Sequence, residues 1–401
     1  MPTFATGVAK QVSIVEEIAE GVSPVTGGKY LRRVSSDLAL GKDTYESQEI
    51  LVSQQIRDAR HGVLRPQGTF AGQISPGSFN DFWQGILRNN FTAGIQVGPI
   101  SPTLALVTGP PAYGTITGTG FLTAGLRNHD VIRFSGLTAP NVALNGLNIR
   151  INTLSDTVIT SRDIPSTSTP GALTGGTIKV VGKKISIPPS GALYKSYSIE
   201  HFFSDISQSE LFVGCKFGQT SIALPATGLV TFSSQVIGMN MIQSPTQQLT
   251  TPTPTTTSSS LAAVNGIVEF NGVDVAVITG MNIQLAGALG ADPVVGSNIV
   301  PHIFQGRFRT TGTLTAMFEN ENIFNTFRNE VEVGIHLMLT IGSGPSADFV
   351  SFVMPRVKLM GSTKSDSDMA LIQSFNYSAL ENVTFDATGP LTTFQIQDSL
   401  A

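Results

Sequence analysis

Short runs of alternating or β-branched residues recur along most of the chain, as in 48–53 (QEILVS), 178–181 (IKVV), 229–233 (LVTFS) and 333–339 (VGIHLML), each bounded by Gly, Pro, Asn and Ser clusters. A period of two between turn formers predicts strands and an all-β fold. Two windows break this pattern with a helical period. In 78–89, Phe79, Phe82, Trp83, Ile86 and Leu87 share one face, and Ser78 with Asp81 has capping-box spacing. In 319–329, Ile323, Phe324 and Phe327 fall on a common face.

The two helical windows sit in similar surroundings. Residues 72–89 (GQISPGSFNDFWQGILRN) align without gaps to 312–329 (GTLTAMFENENIFNTFRN), setting Gly72 on Gly312, Ile74 on Leu314 and Arg88-Asn89 on Arg328-Asn329. Strands are expected upstream of each (35–40 and 281–285) and downstream (211–217, 221–224, 229–236 and 349–353, 357–360, 369–375). The order strand, strand, helix, strand, strand therefore occurs twice, which predicts an internal duplication. Repeat one is expected at 30–98 plus 190–243 and repeat two at 265–385, with an N-terminal arm at 1–29 and a C-terminal arm at 386–401. A Gly/Thr-rich stretch at 101–189 is expected to form a small inserted β domain. Residues 244–264 are rich in Thr, Ser and Pro and read as an extended linker.

Composition narrows the function. Only 13% of the 401 residues are charged, about half the usual share, while 41% are hydrophobic. Such a chain has ample core but little charge with which to solvate a lone surface. The formal net charge of −4 argues against a surface built to grip nucleic acid. One cysteine, Cys215, excludes an intramolecular disulfide framework and a Cys-based zinc cluster. No stretch of about 18 apolar residues offers a membrane helix, and the N-terminus lacks a secretory pattern, so synthesis in the cytoplasm is expected.

No catalytic constellation stands out: HExxH, GxSxG and CxxC are all missing, and the five histidines show no ligand spacing. No catalytic, cofactor-binding or metal-ligating residue is expected. One stretch is denser in charge than its surroundings, with Lys42, Asp43, Glu46 and Glu49 followed by Arg57, Asp58 and Arg60. The stretch reads either as a solvated loop or as a contact loop, because mixed-sign charges on a projecting hairpin fix orientation against a partner surface, and these seven residues are the candidates for such a contact.

Four motifs carry a family resemblance: 15–24 (VEEIAEGVSP); 45–62, with its Tyr-Glu-Ser-Gln-Glu-Ile and Arg-Asp-Ala-Arg-His-Gly; 72–82 (GQISPGSFNDF); and Ser196-Tyr197-Ser198-Ile199-Glu200 with 211–215 (LFVGC). In these the chain resembles the tail tube proteins of long-tailed bacteriophages, over nearly its whole length. Gln73 departs from the acidic residue expected there.

The resemblance implies a duplicated tail-tube β-sandwich, two copies per chain, whose sheets join from chain to chain into a continuous lumen barrel. Six tube folds around a lumen then make the ring a trimer with pseudo-sixfold symmetry. It also implies stacking of rings into a conduit for DNA ejection, with a tape-measure protein and DNA in the lumen, and terminator and tip proteins at the tube's ends. The tail would be assembled in the host cytoplasm, with no membrane partner. Phe82, Trp83, Phe324 and Phe327 are expected to pack the helices on the lumen sheet, the hairpin at 41–65, its counterpart at 286–306 and the termini to make the contacts between rings, the insertion at 101–189 to project from the tube exterior, and the lumen to be neutral to acidic. The competing expectations are another virion structural protein, a decoration or fibre subunit, and a secreted β-rich adhesin.

Overall fold

The computed structural model describes every residue except 1–3, 51, 110, 320–321, 366–369 and 384. Residues 320–321 of the second expected helix, and Met369 of an expected strand, therefore lie outside the described residues.

The body is built from β1 (Lys10–Glu16), β2 (Ala39–Glu46), β3 (Ala59–Gln73), α1 (Asn80–Leu87), β4 (Lys183–Ser186), β5 (Tyr197–Phe203), β6 (Gln208–Leu224), β7 (Thr231–Ile237) and β8 (Asn240–Ser244). It continues with β9 (Gly266–Phe270), β10 (Ile278–Ala286), β11 (Arg309–Met317), α2 (Asn322–Arg328), β12 (Val333–Thr340), β13 (Phe349–Lys364), β14 (Ile372–Ala379) and β15 (Gln395–Asp398). Eight strands form one antiparallel layer in the order β2, β3, β7, β6, β10, β11, β14, β13. The long strands β6 and β13 enter this layer only with their C-terminal halves. Their N-terminal halves belong to the opposite layer, where β6 joins β5, β1 and β8 while β13 joins β12, β9 and β15. Register shifts at Phe217/Thr220 and Leu359/Gly361 let each strand bend from one layer to the other. The two layers and α1 enclose one apolar core that runs through both halves.

The same pairing pattern occurs twice. Tyr197 faces Cys215 as Val333 faces Val357, and the connected strands then set Phe217, Val236 and Gly68 against Leu359, Tyr377 and Gly312. The structural counterpart of Gly312 is therefore Gly68 and not Gly72, a correction of four residues. Both glycines are needed for the same reason: a Cβ on Gly68 would lie 2.5 Å from the Leu38 Cα, and one on Gly312 would lie 2.0 Å from the Asn282 carbonyl oxygen. The helices keep a different offset. Arg88 and Glu330, both left-handed at φ 55 and φ 54, follow α1 and α2 as equivalents. A gapless alignment cannot follow strand and helix together when the segment between them changes length.

Several expected boundaries move. β1 pairs with β5 along its whole length, so 10–16 is a strand of the first half and not part of a free arm. β15 pairs with β13 and β4, which takes the expected C-terminal arm into the body. The linker is extended but docked: the Thr250 and Thr253 amides donate to the Val25 and Gly28 carbonyls, and Leu249 and Leu261 are buried. The inserted unit starts before 101 and ends before 189. Its first strand, Gln96–Ile100, pairs with Gly176–Val180, and β4 already belongs to the body. It has two small sheets of four and five strands around its own core, which includes Ile116, Phe134, Ile159 and Ile178.

Candidate assembly surface

Helix α1 locks the eight-stranded layer to its opposite. Phe82 is fully buried and stacks on Phe217 at 4.4 Å and Phe70 at 4.9 Å between ring centroids, while Trp83 meets Phe232 edge-on at 5.0 Å. Ser78 does not cap the helix as its spacing suggests. Its hydroxyl donates to the Ser75 carbonyl and accepts from the Ser75 amide, closing the preceding turn, and Phe79 takes the cap position at φ 60. The second helix is seated less deeply. Phe324 and Phe327 are only half-buried; Phe327 packs against the core edge, and the Lys364 ammonium lies over the rings of Phe318 and Phe324. Of the four rings expected to pack the helices, Phe82 and Trp83 are thus buried, while Phe324 and Phe327 are only partly so.

The side of the eight-stranded layer away from the core is polar and almost without charge. Strand β7 alternates buried Phe232, Ser234 and Val236 with outward Thr231, Ser233 and Gln235, and β14 alternates Phe375 and Tyr377 with Ser374, Asn376 and Ser378. Thr311 and Thr313 of β11 and Gln219 and Ser221 of β6 continue the same surface. The charges in register with it stand at its margins: Asp37, Arg309, the Asp43–Arg65 pair, joined by two hydrogen bonds of 2.9 Å, and Lys358, which lies opposite Ser378 and binds Glu330 at 2.7 Å. The charge on this face is therefore sparse and of both signs.

This layer does not close within the chain. β2 has β3 as its partner and residues 358–364 of β13 have β14, while the outer edge of each strand is unpaired among the described residues. The two halves meet in the middle, where β6 pairs with β10 from Gln219–Ala286 to Leu224–Met281.

At one end of the layer project the β2–β3 hairpin and the β10–β11 loop, tied together by the Leu64 amide donating to the Asn298 carbonyl. Asp43 is engaged with Arg65, and Asp58 with Arg60 at 3.0 Å. Lys42, Glu46, Glu49 and Arg57 are exposed and have no ion-pair partner among the described residues. Charge reasoning missed what lies at the tip. Ile50 and Val52 are fully exposed and Ile56 is mostly so, and the second loop presents Val295 in the same way. The two loops thus hold apolar side chains clear of the body on a charged stalk. The run 48–53, expected as a strand, is corrected: the strands end at Glu46 and resume at Ala59, and the readable signal was the clustering of Ile50, Leu51, Val52 and Ile56 between them.

Sequence spacing also missed a buried cluster of His129, Glu269 and His336, three residues brought together by the docking of the inserted unit on β9 and β12. No nucleophile, general base and oxyanion donor converge in the manner of an active site among the described residues.

No curated protein matches the chain significantly. The family model described as Phage tail tube protein matches residues 7–387, which takes in both halves of the body and the inserted unit. An all-β body with open sheet edges, a sparsely charged polar face and projecting loops at one end is the structural subunit of such a tube and not an enzyme, and the chain belongs to the phage tail tube protein family.

Proposed function

We propose that three copies close into a ring by pairing the free edge of β13 with the free edge of β2 in the next copy, and that stacked rings form the conduit for DNA. The observation that carries this is the join between β6 and β10. Within the chain, that join already pairs the end of one half with the start of the other. Repeating it between chains uses the two unpaired edges and leaves none, which removes the aggregation hazard of an open sheet.

The internal join also supplies a register. The equivalences Phe217–Leu359 and Gly68–Gly312 carry Ile222 to Lys364 and Ile283 to Leu38. The Ser221–Gln284 pair then becomes Thr363 opposite Ala39 of the next copy. Eight strands from each of three chains, spaced about 4.8 Å apart and tilted near 40°, give a backbone circle on the order of 45–50 Å across. Its lining is the sparsely charged Ser/Thr/Gln/Asn face, which gives DNA phosphates no lysine or arginine row to bind. The apolar tips and charged stalks at 41–65 and 286–306 face the next ring, because a head-to-tail contact repeats without end. Tape-measure protein and DNA as contents of the lumen, terminator and tip proteins at the ends, and assembly in the host cytoplasm belong to the same reading.

The test is a cysteine pair, Ala39→Cys with Thr363→Cys, in a chain whose own Cys215 is buried. Oxidation is expected to yield covalent species up to a closed trimer on non-reducing electrophoresis. A closed hexamer would replace the trimer, and absence of crosslinking in rings seen by electron microscopy would remove the proposed seam.

A further inference from the structure

We propose that His129, Glu269 and His336 form a divalent transition-metal site, best suited to zinc, that staples the inserted unit to the second half of the body. Glu269 and His336 are cross-strand neighbours on β9 and β12, with His336 Nδ1 3.2 Å from Glu269 Oε2. His129 arrives from the loop just before the strand Val131–Ser135 of the inserted unit. Ligand-capable atoms of the three residues lie within 4.8 Å of one another, and all three are buried.

The independent pointer is an orphan: Nδ1 of His129 is buried, 4% of the residue being exposed, and has no hydrogen-bond partner among the described residues. Such a nitrogen costs stability unless something fills its place. The corresponding position in the first half lacks this problem. There Glu200 stands where His336 stands, and Ser13, Ser209 and the amides of Gln248 and Leu249 all donate to its carboxylate.

The surroundings suit a cation of charge two. Arg150 of the inserted unit binds Asp163, Asp274 and Glu269, so three carboxylates surround one guanidinium and leave two negative charges. On the far side of His336, Nε2 meets the Ser351 hydroxyl at 2.8 Å, the outer hydrogen bond that orients a ligating imidazole. A cavity of about 230 Å³, lined by His129, Asn152, Asn271 and Asp386 among others, adjoins the cluster. Neither Glu269 nor His336 lines it, so it borders the cluster on the His129 side only, and bonds of about 2.0–2.1 Å require the three side chains to draw together around the ion.

The test uses tag-free full-length protein stripped with chelator and titrated with Co²⁺ and with Zn²⁺. One equivalent per chain, the visible absorption of tetrahedral Co²⁺, displacement of that absorption by Zn²⁺, and a rise of several degrees in Tm are expected. His129→Gln should lower affinity at least tenfold while the metal-free protein unfolds as a cooperative unit. Absence of stoichiometric binding or of the tetrahedral spectrum in the unmutated protein overturns the site whatever the variant does. Undiminished binding by a folded His129→Gln overturns it equally.

Discussion

Ile222 of β6 lies directly opposite Ile283 of β10, both 1% exposed, at the point where the eight-stranded layer passes from the first half of the chain to the second. Beside them, Ser221 faces Gln284 on the polar side. If the seam between copies repeats this geometry, Ala39→Asp combined with Thr363→Asp sets like charges opposite one another at every seam. Each such pair is unfavourable by roughly 0.2–1 kcal/mol relative to alanines, and it recurs around each ring. Both sites are exposed, so monomer stability should change by less than about 0.5 kcal/mol. Sedimentation should show loss of rings, and Ala39→Lys with Thr363→Asp should restore them. Rings that form equally well from the doubly acidic variant would show that the register lies elsewhere.

The two helices should differ in what they contribute. Phe82 is fully buried between Phe70 and Phe217, so Phe82→Ala leaves a cavity and should cost about 3–5 kcal/mol in urea unfolding. Phe324 is half-buried beneath the Lys364 ammonium, and Phe324→Ala should cost no more than about 1.5 kcal/mol. Equal losses would mean that α2 is seated as deeply as α1.

Lys216 is 1% exposed and donates to Glu20 Oε2 at 2.8 Å and to the Ile303 carbonyl, while Glu20 also accepts from the Ile303 amide at 2.9 Å. Glu20→Ala strips a buried ammonium of its only carboxylate partner among the described residues. A loss of about 3–5 kcal/mol follows from the uncompensated charge. Adding Lys216→Met removes that charge and should recover most of the loss. Additive losses in the double mutant would show that Glu20 acts through the Ile303 amide and not through Lys216.

Much of this body was legible in the sequence, for identifiable reasons. The face of α1 could be read because Phe79, Phe82, Trp83, Ile86 and Leu87 recur at helical spacing within one element. The doubled strand order could be read because turn formers bound each strand. The register between halves was harder to read, since it depends on bulges at Phe217/Thr220 and Leu359/Gly361 whose local marks are single strand glycines, Gly218 and Gly361, in a chain with 41 glycines. Ser78 has the composition of a cap, yet a closer backbone amide and carbonyl at Ser75 take its hydroxyl. His129, Glu269 and His336 lie too far apart in sequence for any spacing rule, and only the docking of the inserted unit brings them together. The tips at Ile50 and Val295 were hidden by attention to charge, although exposed apolar residues are the stronger sign of a contact.

A pH dependence is expected from Asp398 of β15, which is 1% exposed. Burial pushes its pKa up to about 6, and the nearby Asp348 adds to this, while the amides of Leu400 and Gly77, donating at 2.8 Å each, pull the other way. A carboxyl that binds its proton more tightly in the folded state stabilises the fold when protonated. That contribution is complete below the unfolded value near 3.9 and disappears as pH rises through about 6, amounting to at most about 3 kcal/mol. Asp398→Asn has no proton to bind, although one backbone amide loses its acceptor at every pH. The difference in unfolding free energy between unmutated protein and variant should therefore be largest at pH 4 and shrink steadily to pH 7. Urea titrations of the unassembled protein at pH 4, 5, 6 and 7 measure this, and parallel stability profiles would mean that Asp398 keeps an ordinary carboxylate pKa despite its burial.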